Sequence, residues 1–84
     1  MKHYIGKIEE RNGELEYSDK FLFATKGDSQ RYAHKVASGW RGYKEKFDKE
    51  HGGYWYDGTL ISVAGVREIP KEDFEVLKKY LAVL

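Results

Sequence analysis

The side chains able to do chemistry are few and scattered. The three histidines stand at positions 3, 34 and 51. A helix-borne metal site needs two of them about four residues apart, so that both imidazoles share one face. No pair has that spacing, and the reading is no metal and no cofactor. The chain has no cysteine, which removes disulfides, thiolate zinc ligands and thiol nucleophiles together. Ser18, Ser29, Ser38 and Ser62 lack the strand–turn–helix setting of an activated serine. The adjacent carboxylates Glu9 and Glu10 read as a solvated strand end, and Glu72 and Asp73 as the acidic first turn of a helix. Gly52-Gly53 precedes a strand. Lys26-Gly27-Asp28 does open a helix, but an acidic cap repels phosphate. These residues form no catalytic set, so the chain reads as a non-enzyme.

One stretch does have binding character. Between residues 26 and 46, Lys26, Arg31, Lys35, Arg41, Lys44 and Lys46 face only Asp28 and Glu45, whereas the whole chain carries a net charge of just +1. Tyr43 and Phe47 are interleaved with these cations. Cations beside aromatics suit a protein partner, because arginine and aromatic side chains anchor interfaces. They also suit single-stranded DNA or RNA, through phosphate neutralisation and base stacking. The expected contact residues are Arg31, Lys35, Arg41, Tyr43, Lys44, Lys46 and Phe47, joined by Tyr54 and Tyr56 if their sheet face is open. Glu45, Asp48 and Glu50 interrupt the cations, so an ordinary solvated loop is the competing reading.

These side chains are positioned by two hairpins and two helices. In Gly53–Ile61, the pair Asp57-Gly58 separates two runs of strand formers and suits a two-residue turn with positive φ at both central positions. Pairing outward sets Tyr56 opposite Thr59, Trp55 opposite Leu60 and Tyr54 opposite Ile61. Asn12-Gly13 centres an earlier hairpin, with Arg11 opposite Glu14, Ile8 opposite Tyr17 and Tyr4 opposite Phe21. Its second strand, about 14–25, then turns Leu15, Tyr17, Phe21 and Phe23 to one half-buried face. Ile5 and Leu22 point the other way, under a loop or a partner, and a bulge is expected where Gly6 meets Asp19. Tyr32, Ala33, Val36, Ala37 and Trp40 recur at helical spacing after a cap near Asp28, and the helix ends near Gly39 to Arg41. Arg31, His34, Lys35 and Ser38 form its outer face. Pro70 opens a final helix packed through Phe74, Leu77, Leu81 and Leu84. The connection at 40–51 is long for so small a domain and reads as a mobile loop or a short helical piece, with Lys44/Asp48 and Glu45/Lys49 one turn apart.

Eighty-four residues make one domain, 1–84. The element order β-β-α-β-β-α implies an α+β fold: a four-stranded antiparallel sheet with both helices on one face. Residues 1–10 lack the apolar core of a signal peptide, and no apolar run is long enough to span a bilayer. The expectation is a cytoplasmic chain with no membrane partner. In size and style the whole chain resembles small accessory proteins of phages and plasmids, some of which block host defence machinery. The resemblance implies a binding module that occupies a surface of a larger protein or protein–nucleic-acid complex as an inhibitor. A homodimer through edge strands is a further expectation.

Overall fold

Residues 1–42 and 46–84 are described by the structure, a computed structural model. Strands β1 (Lys2–Asn12) and β2 (Leu15–Thr25) lead into helix α1 (Ser29–Ser38). The short β3 (Phe47–Asp48), β4 (Gly53–Tyr56) and β5 (Thr59–Ile69) follow, and helix α2 (Lys71–Leu77) comes last. The five strands form one antiparallel sheet in the order β2-β1-β5-β4-β3. The fold is therefore α+β with five strands rather than four. The additional strand is β3, in the segment read as a loop or a helical piece.

Local chemistry explains that difference. The Asp48 carboxylate accepts from the backbone N–H groups of Glu50 (2.9 Å) and His51 (3.2 Å), and its carbonyl accepts from Gly52 at 2.8 Å. Such side-chain capping of a turn competes with helix and outweighs two surface charge pairs worth a few tenths of a kcal/mol each. Phe47 is thereby left to pair with Tyr54.

The β4–β5 hairpin has the register read from its sequence, with Asp57 at φ 46° and Gly58 at φ 78°. The first hairpin differs by two residues. Asn12 pairs with Leu15, so Gly13 and Glu14 are the central turn residues, and of these only Gly13 has positive φ (60°). That is the pattern of a turn with glycine in its first central position. A two-residue shift preserves which face each side chain occupies. Tyr4, Ile8, Phe21 and Phe23 thus still share a face, while Gly6 comes opposite Phe21 instead of Asp19. No bulge is needed there. The register break lies instead between Lys7 and Ile8 on the β5 side, where Ala64 is the extra residue.

The two helices cover opposite faces, correcting the one-face arrangement. Asp28 caps α1 by accepting from the N–H groups of Gln30 (2.9 Å) and Arg31 (3.2 Å). Ala33 and Ala37 seat α1 on Ile8, Phe21, Phe23, Tyr54 and Ile61, and the Tyr32 ring stacks on Phe23 at 4.5 Å. Strand alternation turns Ile5, Leu22 and Ile69 to the other side, where Phe74, Leu77 and Leu81 cover them. The cover expected over Ile5 and Leu22 is α2. Val76, Tyr80, Val83 and Leu84 remain exposed, because the helix stops at Leu77 and residues 82–84 leave as an extended segment. That segment straps the outer edge of β2. Leu22 donates to the Ala82 carbonyl (2.9 Å) and accepts from Leu84 N–H (2.8 Å), and the Tyr32 hydroxyl of α1 donates to the Leu84 carbonyl at 2.7 Å.

Candidate protein interface

The described members of the expected contact set do not form one patch. Arg31 and Lys35 lie exposed on α1, and neither side chain enters an ion pair among the described residues. Lys46 is also exposed. Tyr43 and Lys44 lie outside the described residues.

Arg41 has a structural partner. Its guanidinium is paired with Glu10, whose other carboxylate oxygen accepts the Trp40 indole N–H at 2.9 Å. Glu10 is only 6% exposed and is the one buried charged residue among those described. A carboxylate so placed needs partners. Arg41 and Trp40 supply them, and the pairing pins the end of α1 to β1.

The tyrosines are placed by the same face logic. Tyr54 and Tyr56 lie on the side covered by α1, so the open-face condition attached to them is not met. Tyr54 is buried and its hydroxyl shares a hydrogen bond with His34 Nδ1 at 3.0 Å. Burial pushes its phenol pKa upward. His34, expected on the outer face of α1, is therefore drawn half inward. Phe47 packs edge-on against both rings, at 5.5 Å from His34 and 5.4 Å from Tyr54. Of the aromatics expected to stack bases, Phe47 is thus engaged on one side with His34 and Tyr54. The open face instead carries Trp55, whose indole N–H donates to Asp48 at 2.7 Å.

Asp48, Glu50 and His51 each bring one donor atom within 4.8 Å of the others. The Asp48 carboxylate is already engaged by the Trp55 indole, the His51 ring and two backbone N–H groups. The grouping is thus a hydrogen-bonded turn. The Trp55 indole, followed by His51, holds the Asp48 pKa down to about 2. Because the folded value lies below the ordinary value near 4, the stabilisation is complete above about pH 4 and is lost as pH falls through about 2. In an acid titration the Trp55 side-chain N–H resonance should keep its folded position at pH 5 and move between about pH 4 and 2. Asp48→Asn should flatten that step.

The outer half of the first hairpin is uncovered, which its apolar alternation does not announce. Every residue from Arg11 to Lys20 is exposed, including Leu15 (60%) and Tyr17 (59%), which had been read as half-buried. Their face is correct, but α1 does not reach them. The signal was available in retrospect: two strands of eleven residues outrun a helix of ten, since a strand rises about 3.3 Å per residue and a helix 1.5 Å.

Beyond Leu22 the strap leaves the β2 edge free. Leu22 uses its outward N–H and carbonyl on the strap, so by alternation those of Lys20, Ser18 and Glu16 also point outward. Shallow concavities join this edge to the α1 cations. One runs from Ser18 past Phe21 to Tyr80, and the next lies between Lys35, Val36, Trp40 and Leu84. The result is a continuous surface with a strand edge, an apolar floor and a cationic rim.

No protein-family model, no curated protein and no solved structure matches this chain. Among the described residues no helix is long and apolar enough to cross a membrane.

Proposed function

We propose that this chain is a small, non-enzymatic, cytoplasmic binding module. It occupies a surface of a larger protein or protein–nucleic-acid complex, in the manner of a phage- or plasmid-encoded inhibitor of a bacterial defence system. The observation that carries the reading is the uncovered half of the β1–β2 hairpin. Leu15 and Tyr17 have no intramolecular cover there, and the adjoining β2 edge has outward backbone groups. Such an edge recruits an extended segment by backbone pairing, and exposed apolar side chains on it give the contact its specificity. Arg31 and Lys35 on the rim call for carboxylates on the partner.

A protein partner is favoured over single-stranded DNA or RNA bound through residues 31–49. Arg41 is committed to Glu10, and Phe47 to His34 and Tyr54, so that segment offers fewer free phosphate and base contacts than its composition suggests.

The test is retention of partners from a bacterial lysate, with and without nuclease, by the parent and by Leu15→Ser with Tyr17→Ser. Both positions are exposed, so the double variant should stay within about 1 kcal/mol of the parent in stability. Its retention of the nuclease-resistant partner should fall at least about tenfold. Retention abolished by nuclease and falling steeply with salt would establish nucleic acid instead. Concentration-dependent sedimentation of the purified chain, lost in the same variant, would assign the edge to a homodimer.

A further inference from the structure

On the sheet face opposite α1, three cations converge on an empty stretch of backbone. Lys20, Lys7 and Gly65 lie side by side on β2, β1 and β5, and Arg67 follows one pleat further along β5, beside Ile5. They border a concavity of about 290 Å³ that no carboxylate lines. Gly65 supplies an open floor, with nothing within 4 Å of where a Cβ would stand. None of the three cations enters an ion pair among the described residues. Two lysines directly opposite each other across a strand pair are mutually destabilising, and neither is neutralised by an ion pair among the described residues.

We propose that Lys7, Lys20 and Arg67 form a binding site for a phosphate group carried by a small molecule. Two compact ammonium groups and one planar guanidinium suit a compact dianion: the lysines act as point charges and the arginine as a two-pronged donor. The surroundings limit the ligand to an isolated phosphate. Toward the hairpin turn, Glu9 occupies the same face, and a polyanionic strand leaving the site in that direction would meet its carboxylate before reaching the Arg11–Glu16 pair. Toward the other end, α2 closes over Ile5 and Leu22. The volume is also at the lower end for small-molecule sites. The site lies on the sheet face opposite α1 and meets the β2 edge only at Lys20, through its side chain rather than its outward backbone groups, so its failure would leave the protein-binding proposal standing.

The experiment is an amide-resolved NMR titration of the full chain with pyrophosphate and, separately, a six-residue oligothymidylate, ionic strength being held constant with sodium chloride. Pyrophosphate should shift the amides of Lys7, Lys20 and Gly65 saturably, and the oligonucleotide should act no more strongly per phosphate. Lys20→Glu should weaken the pyrophosphate response at least about tenfold, as loss of a charge-assisted contact implies. The same change turns a repulsive cross-strand pair into an attractive one and should raise Tm by roughly 2–5 °C without ligand. Loss of binding in a variant at least as stable as the parent cannot be unfolding. Arg67→Gln should weaken the response as well, while leaving the Lys7–Lys20 repulsion in place. An absent or non-saturating response, an undiminished response in both variants, or a response to the oligonucleotide alone would overturn the proposal.

Discussion

Arg41→Glu should lower the thermal midpoint sharply, because it places a second carboxylate against Glu10, which is buried and whose two oxygens are engaged by Arg41 and Trp40. Breaking a buried ion pair by removing one partner typically costs about 3–5 kcal/mol. Here the Arg41 side chain is 48% exposed, so solvent relieves part of that and about 2–3 kcal/mol is expected for Arg41→Ala, with more for the charge reversal. At about 4–8 °C per kcal/mol for a domain of this size, the alanine variant should melt at least 8 °C below the parent. Glu10→Gln with Arg41→Ala should recover much of the loss, since a neutral amide can still accept the Trp40 indole N–H. Circular dichroism melts of the three variants give the answer. A midpoint unchanged in Arg41→Ala would mean that the pair is ornamental and that Arg41 is available to a partner.

Gly6→Val is the other large effect. A Cβ at Gly6 would stand 2.5 Å and 2.7 Å from ring atoms of Phe21, which is fully buried and stacks on Phe23 at a centroid distance of 5.6 Å. Trp40, tilted against the same ring at 6.1 Å, and the stacked Phe23 restrict its retreat. Overpacking of this kind costs about 1–3 kcal/mol, and the branched side chain belongs at the upper end. Phe21→Leu alone opens a void and is also destabilising, by about 1–2 kcal/mol. Combined, the two should be markedly less damaging than their sum, because each relieves the other. Equilibrium urea unfolding of the two single variants and the double variant measures the coupling. Strict additivity would show that the ring does not lie over Gly6.

The elements most legible in the sequence were those governed by neighbouring residues. Asp57-Gly58 specified its turn and the β4–β5 register, and Asp28 with the Tyr32–Trp40 periodicity specified α1 and its buried side. Features governed by distant residues were harder to read. The first hairpin was placed two residues out because Asn12-Gly13 and Gly13-Glu14 are both acceptable turn centres, and only Phe21 seated over Gly6 separates them. The two-residue difference leaves the faces intact, and the pattern of Ile5 and Leu22 on the polar side already calls for cover. The sequence could not show that α2 provides it from the opposite side, since the apolar pattern of α2 is the same whichever face it packs on.

The site was less legible than the fold. Arg31 and Lys35 were recognisable as free cations because they fall on the outer face of a well-defined helix. Arg41 carried the same signal, and its commitment to Glu10, thirty-one residues away, is a tertiary fact. Leu15 and Tyr17 carried an apolar alternation that ordinarily means burial. Only the lengths of β1 and β2 against α1 reveal that the pattern continues past its cover. The three cations opposite α1 come from β1, β2 and β5 and have no local signature at all.

The β2 edge and the α1 rim are proposed as the face by which this chain engages a protein. The most direct test compares nuclease-resistant capture from a bacterial lysate by the parent, by Arg31→Glu with Lys35→Glu, and by Arg67→Glu on the opposite face. The α1 double variant, folded by circular dichroism, should lose the captured protein while the Arg67 variant retains it at the level of the parent. Capture unchanged in the α1 variant and lost in the Arg67 variant would contradict this assignment and move the interface to the other side of the sheet.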